Sequence, residues 1–225
     1  MKISNFKLCI GFPCSWPQVP FPFFQSFILM ERPEFTPIFA TNGPIDGLRN
    51  KIVGDAMNIG ASHLIMMDMD QVYPIDAITK LIAHKLPVVA CMVHRRYPPF
   101  DPIMYRGSIN SYQLVEDWED GGLIEIDATG CGCILYDMRI FHKLPGPWFK
   151  FRPNPDVDHA GIVGEDIGFC SDLKEAGYKI YMDTSIKCGH LSTMIVTEET
   201  HWLYKSLTKK REVHNDNTIR ENSKS

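Results

Sequence analysis

Positive charge is in short supply in this sequence: 23 lysines and arginines stand against 27 aspartates and glutamates, a net charge of −4 with histidines neutral. No field is present to gather nucleic acid or anionic lipid, so a nucleic-acid partner is not expected. A cysteine framework is missing too. The seven cysteines, at 9, 14, 91, 131, 133, 170 and 188, are odd in number and nowhere spaced as Cys-x-x-Cys, which argues against a disulfide scaffold or a zinc ribbon. Several stand among apolar residues, as reduced core cysteines do. Nor does a long hydrophobic run open the chain. Lys2 and Lys7 interrupt the start, and Pro13 and Pro17 follow too soon for a signal peptide or a membrane span. The expectation is a soluble, cytoplasmic protein without a transmembrane segment.

What is present is enough apolar material for one core: 44% of 225 residues are hydrophobic. We expect a single domain over residues 1–205. A polar tail over 206–225, carrying Lys209-Lys210-Arg211 and a run of Asn, Ser and Glu, is too poor in apolar residues to order itself.

Along the chain, strand and helix signals alternate. Leu8 to Phe12 reads as a buried strand, followed by a Pro-rich loop and an apolar helix near Gln25 to Met30. A short strand is expected at Ile38 to Thr41. After the turn Asn42-Gly43-Pro44, Ile52, Ala56 and Ile59 recur at helical spacing until Gly60 supplies the stop. His63 to Met67 is a buried strand running into Asp68. Pro74 suits a first helical position, and Ile75, Ile78, Leu81 and Ile82 form one face of a helix ending before Pro87. Pro87 to Val93, Leu123 to Asp127, Cys133 to Tyr136 and Tyr178 to Met182 read as further strands, and Asp166 to Ala176 as a helix closed by Gly177. This order predicts an α/β fold with a mixed, mainly parallel sheet flanked by helices.

Two Asp-x-Asp triplets occur, at Asp68/Asp70 and at Asp156/Asp158, where 16 aspartates placed at random would give about one. Context separates them. The first follows an apolar strand; the second lies in a loop with Pro153 and Pro155. If strand geometry continues through Asp70, the two carboxylates project to one side at a strand's carboxyl end, where α/β sheets bind ligands. Such a pair is a hard oxygen site for Mn²⁺ or Mg²⁺ that leaves coordination positions open for phosphate oxygens. The plainer alternative is a pair of acids capping the turn into the next helix.

His190, in Cys188-Gly189-His190 just past the last expected strand, could bring an imidazole to the same edge. Gly164-Glu165-Asp166 precedes an amphipathic helix, so its acids suit the positive end of the helix dipole. A carboxylate fixed there could also take a proton from an attacking hydroxyl. Arg49-Asn50 and Arg95-Arg96-Tyr97 could serve phosphate or base recognition, or be ordinary charged surface. Trp148-Phe149 could stack on a sugar, though core packing is the commoner use of such a pair.

Read in order, Arg49-Asn50-Lys51-Ile52-Val53, the strand into Asp68-Met69-Asp70, Gly130-Cys131-Gly132, Pro147-Trp148-Phe149, Gly164-Glu165-Asp166, Ala176-Gly177-Tyr178 and Gly189-His190 resemble small GT-A glycosyltransferases of the family-two type, including phage and giant-virus members. The resemblance covers Arg49 to His190. It implies a GT-A fold, a nucleotide-diphosphate sugar donor (a UDP- or GDP-sugar), an acceptor hydroxyl on a carbohydrate or other molecule, and transfer with inversion. It implies a metal held by Asp70 and His190, with Asp68 facing the metal or the nucleotide ribose, Arg49 on the donor, and Asp166 as base with Glu165 as its substitute. A viral source would place the protein in the host cytoplasm.

Two other functions fit parts of the pattern. A nucleotidyltransferase uses strand-end acids and a metal as well, but it calls for a Gly- and Lys-rich loop after the first strand, and residues 11–20 contain no lysine. A non-catalytic carbohydrate-binding or structural protein on the same fold is the third.

Overall fold

The computed structural model describes residues 6–109, 111–154 and 161–207. The chain divides after Leu191 into two compact units. In the second unit, residues 198–207 form a helix. Residues 208–225, most of the expected polar tail, and the triplet Asp156/Asp158 lie outside the described residues.

In chain order the first unit runs β1 (Leu8–Cys14), α1 (Phe21–Leu29), β2 (Phe35–Thr41), α2 (Ile45–Ile59), β3 (His63–Met67), β4 (Gln71–Val72), α3 (Ala77–Ala83), β5 (Val88–Val93), β6 (Met104–Arg106), β7 (Gln113–Leu114), β8 (Leu123–Ile126), β9 (Ala128–Thr129), β10 (Cys133–Asp137), α4 (Arg139–Lys143), β11 (Arg152–Pro153), β12 (Ile162–Val163), α5 (Glu165–Glu175) and β13 (Ile180–His190). The main sheet has the order β2-β1-β3-β10-β5-β13-β4, with β8 also paired to β13. β1 pairs in parallel with β2 and β3, and β5 in parallel with β13. Because β10 runs antiparallel to both β3 and β5, those five strands share one direction. The sheet is thus mixed and mainly parallel, as expected. The carboxyl ends of β1, β3, β5 and β13 therefore gather along one edge.

Alternation along each strand sorts the core into two layers. Val88, Ala90 and Met92 of β5, Leu64 and Met66 of β3, and Ile134 and Tyr136 of β10 join one layer, which α2 covers with Ile52 and Ala56 and α5 with Phe169 and Leu173. Val89, Cys91 and Val93, Ile65 and Met67, and Cys133 and Leu135 join the other, which α1 covers with Phe23 and α3 with Ile78 and Leu81. β5 is buried along its whole length. A strand covered on both faces has no use for polar alternation, which is why Val88–Val93 reads as an unbroken apolar run.

Local chemistry accounts for the helix ends. α2 stops at Gly60, whose φ of 72° and ψ of 41° place it in the left-handed region that glycine enters without strain. α1 begins at Phe21 rather than near Gln25, since a proline within its first turn presets the helical φ. Besides α1, two elements and the turn after β3 depart from expectation. α3 begins at Ala77 rather than Pro74, because the preceding residues Gln71–Val72 are drawn into the sheet against His190–Gly189. β3 ends at Met67, and Met69-Asp70 form a turn, so strand geometry does not continue through Asp70. β13 extends to His190 instead of stopping near Met182, through an irregularity between Asp183 and Lys187.

Candidate active site

The edge formed by the parallel strands carries a cleft of about 600 Å³. The loop after β1 supplies Ser15, Trp16 and Gln18, the start of α2 supplies Ile45 and Arg49, and the turn after β3 supplies Asp68, Met69 and Asp70, with Arg96 opposite. This is the crevice outside the carboxyl ends of the strands where open α/β sheets bind ligands.

Asp70 and His190 meet because β4 pairs with the end of β13: His190 lies in register with Gln71, and Leu191 N–H donates to the Asp70 carbonyl at 2.7 Å. His190 Nε2 is 3.3 Å from Asp70 Oδ2, and its Nδ1 is 2.7 Å from the carbonyl oxygen of His94. A carbonyl can only accept, so Nδ1 carries a proton; the hydrogen bond to the Asp70 carboxylate uses a second proton, on Nε2, whose loss would leave a lone pair facing Asp70. Arg96 Nη1 approaches the same Oδ2 at 3.0 Å. Burial alone would raise the Asp70 carboxyl, but His190 and Arg96 hold it below its ordinary value. The hydrogen bond to Asp70 raises His190 in turn.

Asp68 faces a different partner. Arg49, 3% exposed, donates through Nη2 to both Asp68 oxygens at 3.2 and 3.3 Å, through Nε to Glu165 Oε1 at 3.0 Å, and through Nη1 to the Cys131 carbonyl at 3.4 Å. Burial opposes the guanidinium charge, yet the surrounding acids overcome it and raise its pKa well above the ordinary value. Among the described residues, the ligand atoms of Asp68, Asp70 and His190 do not form a group lying within 4.8 Å of one another. The turn that replaces the expected strand is the reason: it sends the two carboxylates to separate partners.

Glu165 is buried at 6% exposure with one oxygen held by Arg49. Asp166, the next residue on α5, accepts the Ile167 N–H at 2.7 Å and abuts Gly164 and Gly130. A Cβ on Gly164 would stand 2.8 Å from Asp166 Oδ1, so the glycine makes room for that carboxylate. Burial, and then the neighbouring Glu165 carboxylate, push Asp166 up to about 6. Asp166 is not among the residues that line the cleft, and a place at the helix start does not exclude a role as a base.

No family profile and no curated protein matches this sequence. Solved structures do match its shape. Protein A197 from STIV superposes with a TM-score of 0.58 at 18% identity, over 86% of this chain and 97% of that one. GalNAc-T7, solved with UDP, GalNAc and Mn²⁺, superposes with a TM-score of 0.59 at 10% identity, over 84% of this chain. The fold is GT-A. The chain corresponds to only 44% of the GalNAc-T7 chain.

Within the GT-A framework, other expected residues have structural work. Asn50 accepts Trp148 N–H and Phe149 N–H at 2.8 and 3.1 Å and donates to the Phe149 carbonyl at 2.6 Å, so it anchors that loop rather than lining the cleft. Phe149 is fully buried against Tyr136 and Phe169, and Trp148 packs edge-on against Phe141. The pair is core. Arg95 donates to the Tyr105 hydroxyl at 2.6 Å. Trp16, 77% exposed at the cleft, was not singled out from the sequence. The Pro-rich loop that holds it carries no periodic signal to mark one aromatic among several.

Proposed function

We propose that the chain is a metal-dependent glycosyltransferase that moves a sugar from a nucleotide-diphosphate donor to an acceptor hydroxyl with inversion. The observation that carries this reading is the pairing of His190 with Asp70, which lines a cleft on the carboxyl edge of a GT-A sheet.

The donor set fits a divalent cation. A carboxylate oxygen and an imidazole nitrogen of fixed tautomer face each other, and the carboxylate already draws a guanidinium as counter-charge. Asp70 and His190 would hold the ion, with Asp68 beside it in the cleft. When bound, such an ion supplies counter-charge to the diphosphate leaving group. Arg96 adds a second positive group on that side, and Trp16 offers a flat face for the nucleotide base. Asp166 takes the proton from the acceptor hydroxyl as it attacks the anomeric carbon, and its raised pKa keeps it basic enough for that task near neutral pH. Glu165, pinned by Arg49, fixes the other end of the Asp68–Arg49–Glu165 chain and is the poorer base of the two.

The experiment is turnover of a panel of UDP- and GDP-sugars, by hydrolysis or transfer, with Mn²⁺ or Mg²⁺ and with excess chelator. Full turnover in chelator would overturn the metal's role. A chain that binds sugars but shows no metal-dependent nucleotide affinity would be a carbohydrate-binding protein instead.

A further inference from the structure

Three cysteines converge in the core layer next to the cleft. Cys133 of β10 stands one register step beyond the Ile134–Ala90 pair, opposite Cys91 of β5, and their Sγ atoms are 3.2 Å apart. Ile180 and Met182 of β13 belong to the opposite layer, whereas Ile186 and Cys188 belong to this one. The irregularity between Asp183 and Lys187 makes that change of face, and so delivers a third sulfur. All three Sγ atoms lie within 4.8 Å of one another. The residues are 1%, 1% and 5% exposed, in a layer that is otherwise apolar and aromatic.

Isolated core thiols behave as small hydrophobes and need no common focus. Here sulfurs from three separate strands surround one point. A soft ion with thiolate bonds of about 2.3 Å, in trigonal geometry, would set its sulfurs about 4 Å apart, so modest opening of the Cys91–Cys133 edge admits it. No histidine or carboxylate joins the group among the described residues. Structural zinc takes four ligands, so three sulfurs alone leave its shell incomplete, whereas an all-sulfur set selects copper(I).

We propose that Cys91, Cys133 and Cys188 form a buried three-sulfur site for a soft monovalent cation of the copper(I) class. A sulfur that ligates as thiolate gives its proton to solvent, and the ion's single positive charge offsets one such negative charge, so the other two sulfurs bind as thiols in this apolar layer. The site ties together the strands that carry the cleft: Cys188 precedes His190 by two residues, Cys91 precedes His94 by three, and Cys133 follows Gly132, whose carbonyl accepts the Asp68 N–H at 2.9 Å. It stands independently of glycosyl transfer.

The test uses the full chain, reduced and kept anaerobic, mixed with copper(I) and an excess of the chelator bathocuproine disulfonate. After desalting, one copper per chain should remain, with X-ray absorption showing three sulfur neighbours at about 2.3 Å. Cys133→Ser and Cys188→Ser should each lower retention about tenfold or more. Cys9→Ser and Cys170→Ser, altered in the opposite layer, should retain it. Wild-type protein that keeps no copper, or keeps it through nitrogen, oxygen or two sulfurs, overturns the proposal. So does undiminished retention in a folded Cys133→Ser variant. The wild-type measurement decides the matter even where a serine variant fails to fold.

Discussion

His190 and Asp70, 120 positions apart in sequence, face each other at 3.3 Å because a two-residue strand clips the turn after β3 onto the end of β13. On the proposed function this contact is the metal's anchor. Asp70→Ala and His190→Ala should each reduce metal-dependent turnover by about 100-fold or more and weaken Mn²⁺ binding. Calorimetric titration with Mn²⁺ and nucleotide checks this, and either variant with unchanged metal affinity would remove its residue from the site.

Asp166 gives the reaction its expected pH dependence. Proton removal requires the carboxylate, so kcat/KM should rise with pH to a plateau through an apparent pKa of about 6. Asp166→Asn should lose about 100-fold or more in turnover while keeping donor affinity. Stability carries the opposite sign. Because the folded-state pKa lies above the unfolded value, the Asp166 contribution is fully present below pH about 4 and is lost as pH rises through about 6. Thermal melts of the Asn variant should lack that part of the pH dependence.

Arg49 is held between Asp68 and Glu165 in the interior. Arg49→Met removes the charge that two acids share and leaves both without it, at a cost of about 3 kcal/mol. For a chain of this size that corresponds to a melting temperature lower by roughly 6 to 12 °C. A melt within a degree of wild type would mean that the guanidinium is not needed to keep those acids in place.

Trp16 should act on the donor and not on the chemistry. Trp16→Ala is expected to raise the donor KM about tenfold, the scale of one base–aromatic stack, with kcat little changed. A loss confined to kcat would contradict a role in nucleotide binding.

Gly11 sets how closely α2 lies on β1. A Cβ there would stand 2.2 Å from Cγ2 of Ile52, itself fully buried. Gly11→Ala should therefore cost about 1 to 3 kcal/mol and lower activity as well, since the helix it displaces carries Arg49. Denaturant melts and turnover measured together would separate this coupled loss from a purely local one.

The alternation of apolar strands with helices was legible because burial on both faces of a parallel sheet writes long apolar runs. The helical spacing of Ile52, Ala56 and Ile59 marked α2, and Gly60 its stop. The short strands β6, β7 and β9 and the five-residue α4 were not legible, since two to five residues carry no period. Asp68, Asp70, His190, Glu165, Asp166 and Arg49 could each be named from motif and order, and the resemblance joined Asp70 with His190, but the Asp68–Arg49–Glu165 chain was not legible.

The amino-acid sequence by itself determined which segments form the main buried strands, the glycine stops of α2 and α5, and the arrival of an acidic pair at the end of a buried strand. Tertiary structure alone decided that Asp68 turns to Arg49 and away from Asp70, that Asn50 anchors the Trp148-Phe149 loop, and that Cys188 shares a face with Cys91 and Cys133. For the acids and for Cys188 the physical reason is of one kind. A chain break in strand geometry after Met67 and a register shift after Asp183 redirect side chains by half a turn, and neither leaves a mark in the pattern of apolar and polar residues.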